Sequence, residues 1–333
     1  MKKRVGILGV FVSLCLLITG CGGEKTPFSQ EPSASVQASQ QNTVQDEEAY
    51  TFVDDAGQEI TLEQKPQKVA VLLSSFVDIW QVAGGSVDIT VGESVERELV
   101  KETEVLLVDG GAGKTIDNEL LISYEPDFVI CSMDIGAQAE SAGICNQAGI
   151  PAAQFHVDSF GEYLHMLKIC TDILDAPEAY ETYGLQVQSR IEEILASAQK
   201  REPREILFVR AGSKYSATKA KTAKDNFVCV MLQELGTYNI AENAPILLDG
   251  LSFEEILLED PDIIFITTMG DEEAAKAYMT GVLAEEQWQQ LSAVQEGNYY
   301  FLPKDLFHFK PNARWAEAYE YLLDLLYPEE TNE

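Results

Sequence analysis

The chain has 333 residues, 46% of them hydrophobic, which is enough for two domains with substantial cores and excludes a mostly disordered protein. Lys and Arg number 23 against 55 Asp and Glu, a formal net charge of −32, so the surface repels nucleic-acid phosphates and a general DNA or RNA binder is excluded. Three His and six Cys supply neither a disulfide-dense scaffold nor a Cys/His zinc spacing.

The chain begins with Lys2, Lys3 and Arg4, continues through an almost wholly apolar Val5–Ile18, and reaches small residues just before Cys21. A basic start, a short apolar run and a small-residue cleavage site define a secretory signal, too short for a membrane span. The cysteine at its end makes it resemble a bacterial lipoprotein signal: residues 1–20 are removed and Cys21 is acylated as the mature N-terminus. Cleavage takes away three bases and no acid, leaving the mature chain still more acidic. Residues 21–48 are rich in Ser, Gln, Gly, Pro and Glu and read as a flexible tether. An anchor, a tether and an acidic body place the protein on the extracytoplasmic face of the cell membrane.

Thr51–Leu62 alternates and turns at Asp55–Gly57, the pattern of a β-hairpin. Short β-branched runs then alternate with helical periods. Strands are expected at Val69–Leu73, Val105–Val108, Phe128–Cys131 and Ala152–Phe155, with helices at Val77–Ala83, Asp117–Tyr124 and Gln138–Ala148. Two long helices follow, Phe160–Leu174 and Pro177–Lys200. A second alternating region has strands at Ile206–Val209, Ile263–Thr267 and Tyr299–Leu302, and helices at Asn226–Leu235 and Ala313–Leu326. The pattern predicts an α/β protein with mostly parallel sheets. Its N-terminal lobe spans 49–158, its helical connector 159–202 and its C-terminal lobe 203–333.

An internal repeat supports two related lobes. Glu119 stands seven residues before Pro126-Asp127, and Glu254 seven before Pro261-Asp262, an offset of 135 residues; each Pro-Asp leads into an apolar strand. Cys131, Cys145, Cys170 and Cys229 fall on strand-like or apolar helical positions and read as buried free thiols, although export would permit pairing.

The lipobox, the hairpin, the Lys65-Pro66-Gln67-Lys68-Val69 run and the paired Glu–Pro-Asp units, in that order, resemble the substrate-binding lipoproteins of ABC importers for iron–siderophore, haem and cobalamin ligands. The resemblance covers about residues 50–328. It implies two Rossmann-like lobes joined by a rigid long helix, a ligand cleft between them, no catalysis and no cofactor of its own. It also implies a monomer whose partners are a metal chelate and an ABC permease with its ATPase. In the family a glutamate on each lobe meets arginines of the permease, a role that falls here on Glu119 and Glu254.

Ligands of open α/β lobes sit at the carboxyl ends of the strands. That rule selects Ser75 and Phe76 after the first strand, Lys114 after the second, Asp134 after the third and His156 after the fourth. From the second lobe it selects Arg210, Lys214, Tyr215, His308, Lys310 and Arg314. These cations stand out in an acidic chain, and Arg can grip an anionic oxygen pair bidentately. Gly110–Lys114 lacks the spacing of a phosphate loop. Two His near strand ends do not make a bare-metal site, though His156 or His308 could be an axial ligand to a chelated metal. An exported hydrolase and a surface adhesin are the competing readings; the sequence has no Gly-x-Ser-x-Gly elbow for the first.

Overall fold

The computed structural model describes residues 49–328. It contains the expected hairpin, β1 (Tyr50–Val53) with β2 (Glu59–Leu62), and two sheets. The first sheet comprises β3 (Val69–Val71), β4 (Ile89–Val91), β5 (Leu106–Asp109), β6 (Phe128–Ser132) and β7 (Ala152–Phe155), all parallel in the order β5-β4-β3-β6-β7. The second comprises β8 (Glu205–Ala211), β9 (Lys219–Ala220), β10 (Tyr238–Asn239), β11 (Ile263–Thr268) and β12 (Tyr299–Phe301). Its parallel order is β10-β8-β11-β12, and β9 runs antiparallel along the far end of β8. The α/β reading with two mostly parallel lobes therefore holds. Sequence reading missed β4, which lies between β5 and β3 in its sheet: three residues bounded by Gly84-Gly85 and Gly92 give too short a run to stand out.

Alternation along the strands sets the architecture, because successive residues face opposite sides of a sheet. Val69 and Val71 of β3, Phe128 and Ile130 of β6, Ile206 and Phe208 of β8 and Ile263 and Phe265 of β11 all enter a single core. Their alternate neighbours, Ala70 and Val129 in one lobe and Leu207 and Ile264 in the other, face separate outer cores. The shared core is completed by the helix Phe160–Leu174, the helix Gln186–Ala198 and the closing helix Trp315–Leu326. Trp315 is fully buried, edge-on to Phe160 at 6.4 Å and to Phe227 at 5.8 Å.

The expected helix Pro177–Lys200 is interrupted. Its central turn, Glu181–Leu185, widens to a π-type turn between Pro177–Tyr180 and Gln186–Ala198. Gly184 sits there because a β-carbon would lie 2.8 Å from Leu164 Cδ1, so glycine lets this helix close on its predecessor. The hairpin turn has a task of its own. Asp54 and Asp55 accept the backbone N–H groups of Gln154 (2.9 Å) and His156 (2.8 Å), sealing the exposed edge of β7.

The repeat has a common geometry. Asp127 accepts the N–H groups of Gln67 and Lys68 leading into β3, and Asp262 accepts that of Glu205 leading into β8. In each copy the residue before proline, Glu125 or Asp260, is left-handed (φ 50° and 42°). All four body cysteines are buried and unpaired. No helix among the described residues is long and apolar enough to cross a membrane.

Trp315→Ala is expected to cost about 3–5 kcal/mol by emptying the shared core. Because both sheets face that core, denaturant unfolding should remain a single transition; separate transitions for the two lobes would contradict this packing.

Candidate functional site

The parallel strands of both lobes end on loops that carry the candidate residues. In the first lobe the loop after β5 folds around Asp109, whose carboxylate accepts the N–H groups of Gly111 (3.1 Å), Gly113 (2.7 Å) and Lys114 (3.1 Å) and the Thr115 hydroxyl (3.0 Å). Burial works against the charge on Asp109, but these donors outweigh it and hold the carboxyl below its ordinary value. The glycine loop thus surrounds an internal carboxylate. Buried Gln138 ties it down, accepting from Ser132 N and donating to Leu72 O and Gly113 O, and a β-carbon on Gly113 would lie 2.3 Å from Leu72 O. Lys114 is left exposed at the rim.

The loop after β12 reaches the first lobe directly. Asn312, left-handed at φ 50° and fully buried, donates to Ser75 O (2.8 Å) and Asp78 Oδ2 (2.7 Å). Lys310 pairs with Asp158, and its backbone N–H reaches Ser75 Oγ at 3.4 Å. Beside this seam, Arg97 of the first lobe lies 3.9 Å over the Phe309 ring and donates to Ser74 Oγ (2.9 Å), while Lys304 stands 5.5 Å from the same ring. Glu93, Glu96, Arg97, Lys304, Asp305 and Phe309 bound a cleft of about 410 Å³.

Burial lowers the Arg97 pKa, opposed by Asp78 and Glu93, so its charge is held in a partly desolvated place. His308 donates from Nδ1 to Thr268 O at 3.0 Å, since a carbonyl can only accept, which leaves Nε2 as the acceptor nitrogen. Burial first, then the charge of Lys304, pushes His308 below its ordinary value; Arg210 adds to this, while Thr268 and Glu93 oppose it. His308 is therefore neutral at pH 7, and the charges it feels come from both lobes.

Several residues selected from the sequence stand elsewhere. Phe76 does not face a ligand: it is 1% exposed and edge-on to Phe155 in the core, because the helix Ser74–Val82 turns that side chain inward immediately after β3. Arg314 is exposed but occupied, with Nη1 on Asp305 (2.8 Å) and its Nε and Nη2 on Glu317 (both 2.7 Å), hydrogen bonds that raise its pKa. Lys310 and Ser75 are engaged in the seam. Lys214 and Tyr215 are exposed on the second lobe, and Arg210 is half-buried at the end of β8. Glu119 and Glu254 are both exposed in the first turns of their helices. Sequence reading missed Arg97 and Glu93, which follow the unrecognised β4, and Lys304. The β-branched triplet Ile89-Thr90-Val91 before Gly92 was the available signal.

His156 and Asp134 hold one another, with Nδ1 2.8 Å from both carboxylate oxygens. Nε2 faces Glu162 at 3.6 Å and Asp158 at 3.8 Å, the latter also bound by Lys310. No cluster of His, Cys, Asp or Glu among the described residues is spaced to hold a metal ion.

Two parallel-sheet lobes meeting over a cleft that carries Arg97 and Lys304 beside Glu93, Glu96 and Asp305 have the arrangement of a solute-binding protein. Residues 69–306 match the family described as periplasmic binding protein, and the chain belongs to it. It is 24% identical over 336 residues to an uncharacterized ABC transporter substrate-binding lipoprotein of Bacillus subtilis (strain 168), YvrC, with 99% of each chain covered. In fold it is similar to the periplasmic haem-binding protein RhuT from Roseiflexus sp. RS-1 (TM-score 0.64, 19% identity, 78% of this chain and 98% of that one). It is also similar to Staphylococcus aureus SirA complexed with staphyloferrin B (TM-score 0.62, 16% identity, 84% and 97%).

Burial disfavours charge on His156, but Asp134, then Glu162 and Asp158, outweigh it and raise its pKa above the ordinary 6.5. A raised folded-state value means the cluster stabilises the fold fully below pH 6.5 and loses that contribution as pH rises through the higher value. The stability difference between the parent and His156→Gln should therefore be largest below pH 6.5 and shrink above it. A difference that grows with rising pH would show that the imidazole sits there neutral.

Proposed function

We propose that this protein is the substrate-binding lipoprotein of an ABC importer, anchored through Cys21, which lies outside the described residues. It captures an anionic metal chelate (an iron–siderophore, haem or a corrinoid) in the cleft between its lobes and delivers it to the permease. One observation carries this reading most: in a chain of net charge −32, Arg97 and Lys304 converge from opposite lobes on one aromatic ring at the cleft, with Arg210 close enough to act on His308. A cationic focus inside an acidic body attracts an anion that the rest of the surface repels. The haem and staphyloferrin ligands of the structural neighbours are of the same chemical kind. His308, neutral with Nε2 as acceptor, can serve as an axial ligand where the chelate leaves a metal position open. Glu119 and Glu254 present one exposed carboxylate per lobe for arginines of a two-fold permease. The chain works as a monomer and performs no reaction on its cargo, and the domain limits 49–158, 159–202 and 203–333 remain those we propose from sequence.

A thermal-shift screen of the mature protein against iron–siderophores, haem and corrinoids tests this directly. A true ligand at 100 times its Kd should add about 2.7 kcal/mol. No shift with any class, or turnover of one of them, would overturn the reading. With the ligand found, Arg97→Ala should weaken binding by about 1.5–3 kcal/mol, the range for a lost charge-assisted hydrogen bond, while Arg314→Ala should leave it unchanged because Asp305 and Glu317 already hold that guanidinium. Cys21→Ser should release the protein from the membrane or leave it unprocessed; mature variant protein that still partitions with membranes would remove the anchor.

A further inference from the structure

The two copies of the Glu–Pro-Asp repeat keep one register in three dimensions, so the lobes can be compared residue by residue. Leu121 and Ile256, at matching positions, are both fully buried, and Glu125 and Asp260 are both left-handed. One turn after the exposed glutamates the match fails. In the first lobe the position is Ser123, whose hydroxyl donates back to Leu120 O at 2.8 Å. In the second it is Leu258, 76% exposed and the most exposed large hydrophobic side chain among the described residues. Ile256 already holds the helix Phe253–Glu259 in the lobe's outer core, so packing within this chain gives Leu258 no partner.

Glu254 and Leu258 are four residues apart and share one helix face. Leu258 is also ringed by acid: Glu254, Glu255, Glu259 and Asp260 surround it in sequence. That collar repels an anionic lipid surface, and a second copy of this chain would bring the same acids against it. The occupant has to offer an apolar socket rimmed by positive charge.

We propose that Glu254 and Leu258 form one composite docking face for the permease, in which the carboxylate meets a cation while Leu258 enters an apolar socket beside it. The first lobe docks through Glu119 without an apolar anchor. This rests on the reading that the two glutamates dock the protein, and adds that the two lobes dock unequally, with the second carrying more of the affinity.

The mature lipoprotein, titrated against the permease–ATPase complex of the same cell in nanodiscs, reads the difference. Leu258→Ser should weaken the complex about tenfold, the loss expected for one buried leucine. Its melting temperature should be unchanged, because the side chain is exposed. Leu258→Met should restore binding and Ser123→Ala should leave it intact. If Glu254→Lys weakens the complex and Leu258→Ser does not, the composite face is overturned and the glutamate reading stands. If neither Glu119→Lys nor Glu254→Lys changes affinity, the glutamate reading falls and the composite face with it.

Discussion

The shared core is the constraint on which the other features depend. One face of each sheet, the connector helices and the closing helix bury their apolar residues against one another, so neither lobe has a complete core alone. Each sheet is then fixed relative to the other by packing rather than by a flexible strap. The loop after β12 is thereby held against the first lobe. The direct bonds at the seam, from Asn312 to Ser75 and Asp78 and from Lys310 to Asp158, reinforce that contact. A cleft built in this way is largely preformed, which limits the ordering cost of filling it.

Electrostatics divide the cations of this acidic chain into two groups. Arg314, Arg190 and Lys310 are bound to neighbouring carboxylates and serve the fold. Arg97 and Lys304 lie against an aromatic ring at the cleft, where hydroxyls and π-density orient them without neutralising them as a bidentate carboxylate would. The same residue type has opposite value in the two settings, and only three-dimensional neighbours reveal which applies.

That division explains what the sequence could disclose. The hairpin, the alternation of strand and helix and the Glu–Pro-Asp repeat were legible because each is local: a turn, a period or a short motif whose Asp127 or Asp262 bonds its own sheet. Arg97 was not legible, since it depends on a strand of only three residues, too short for an alternation to show, although its partners β3 and β5 are its nearest neighbours in the chain. Arg314 sat where a ligand residue was expected; Glu317, three residues on in the predicted helix, was a legible partner, whereas nothing in the sequence placed Asp305 beside it. Phe76 lay after a strand end as the rule for α/β clefts requires. One helical turn decided that its ring pointed to the core.

The closing helix has a consequence for how the molecule reaches its final state. Trp315 completes a core whose other walls, Phe160 and Phe227, were synthesised well before it, and Asp54 seals an edge strand whose Gln154 lies 100 residues further on. Such long-range closure is slow compared with local helix formation. A chain made N-terminus first therefore lacks the wall that closes its shared core until Trp315 and the residues after it are in place. The last step of assembly is thereby postponed to the end of synthesis, while the first lobe's outer core, drawn from residues 70–152, can form earlier.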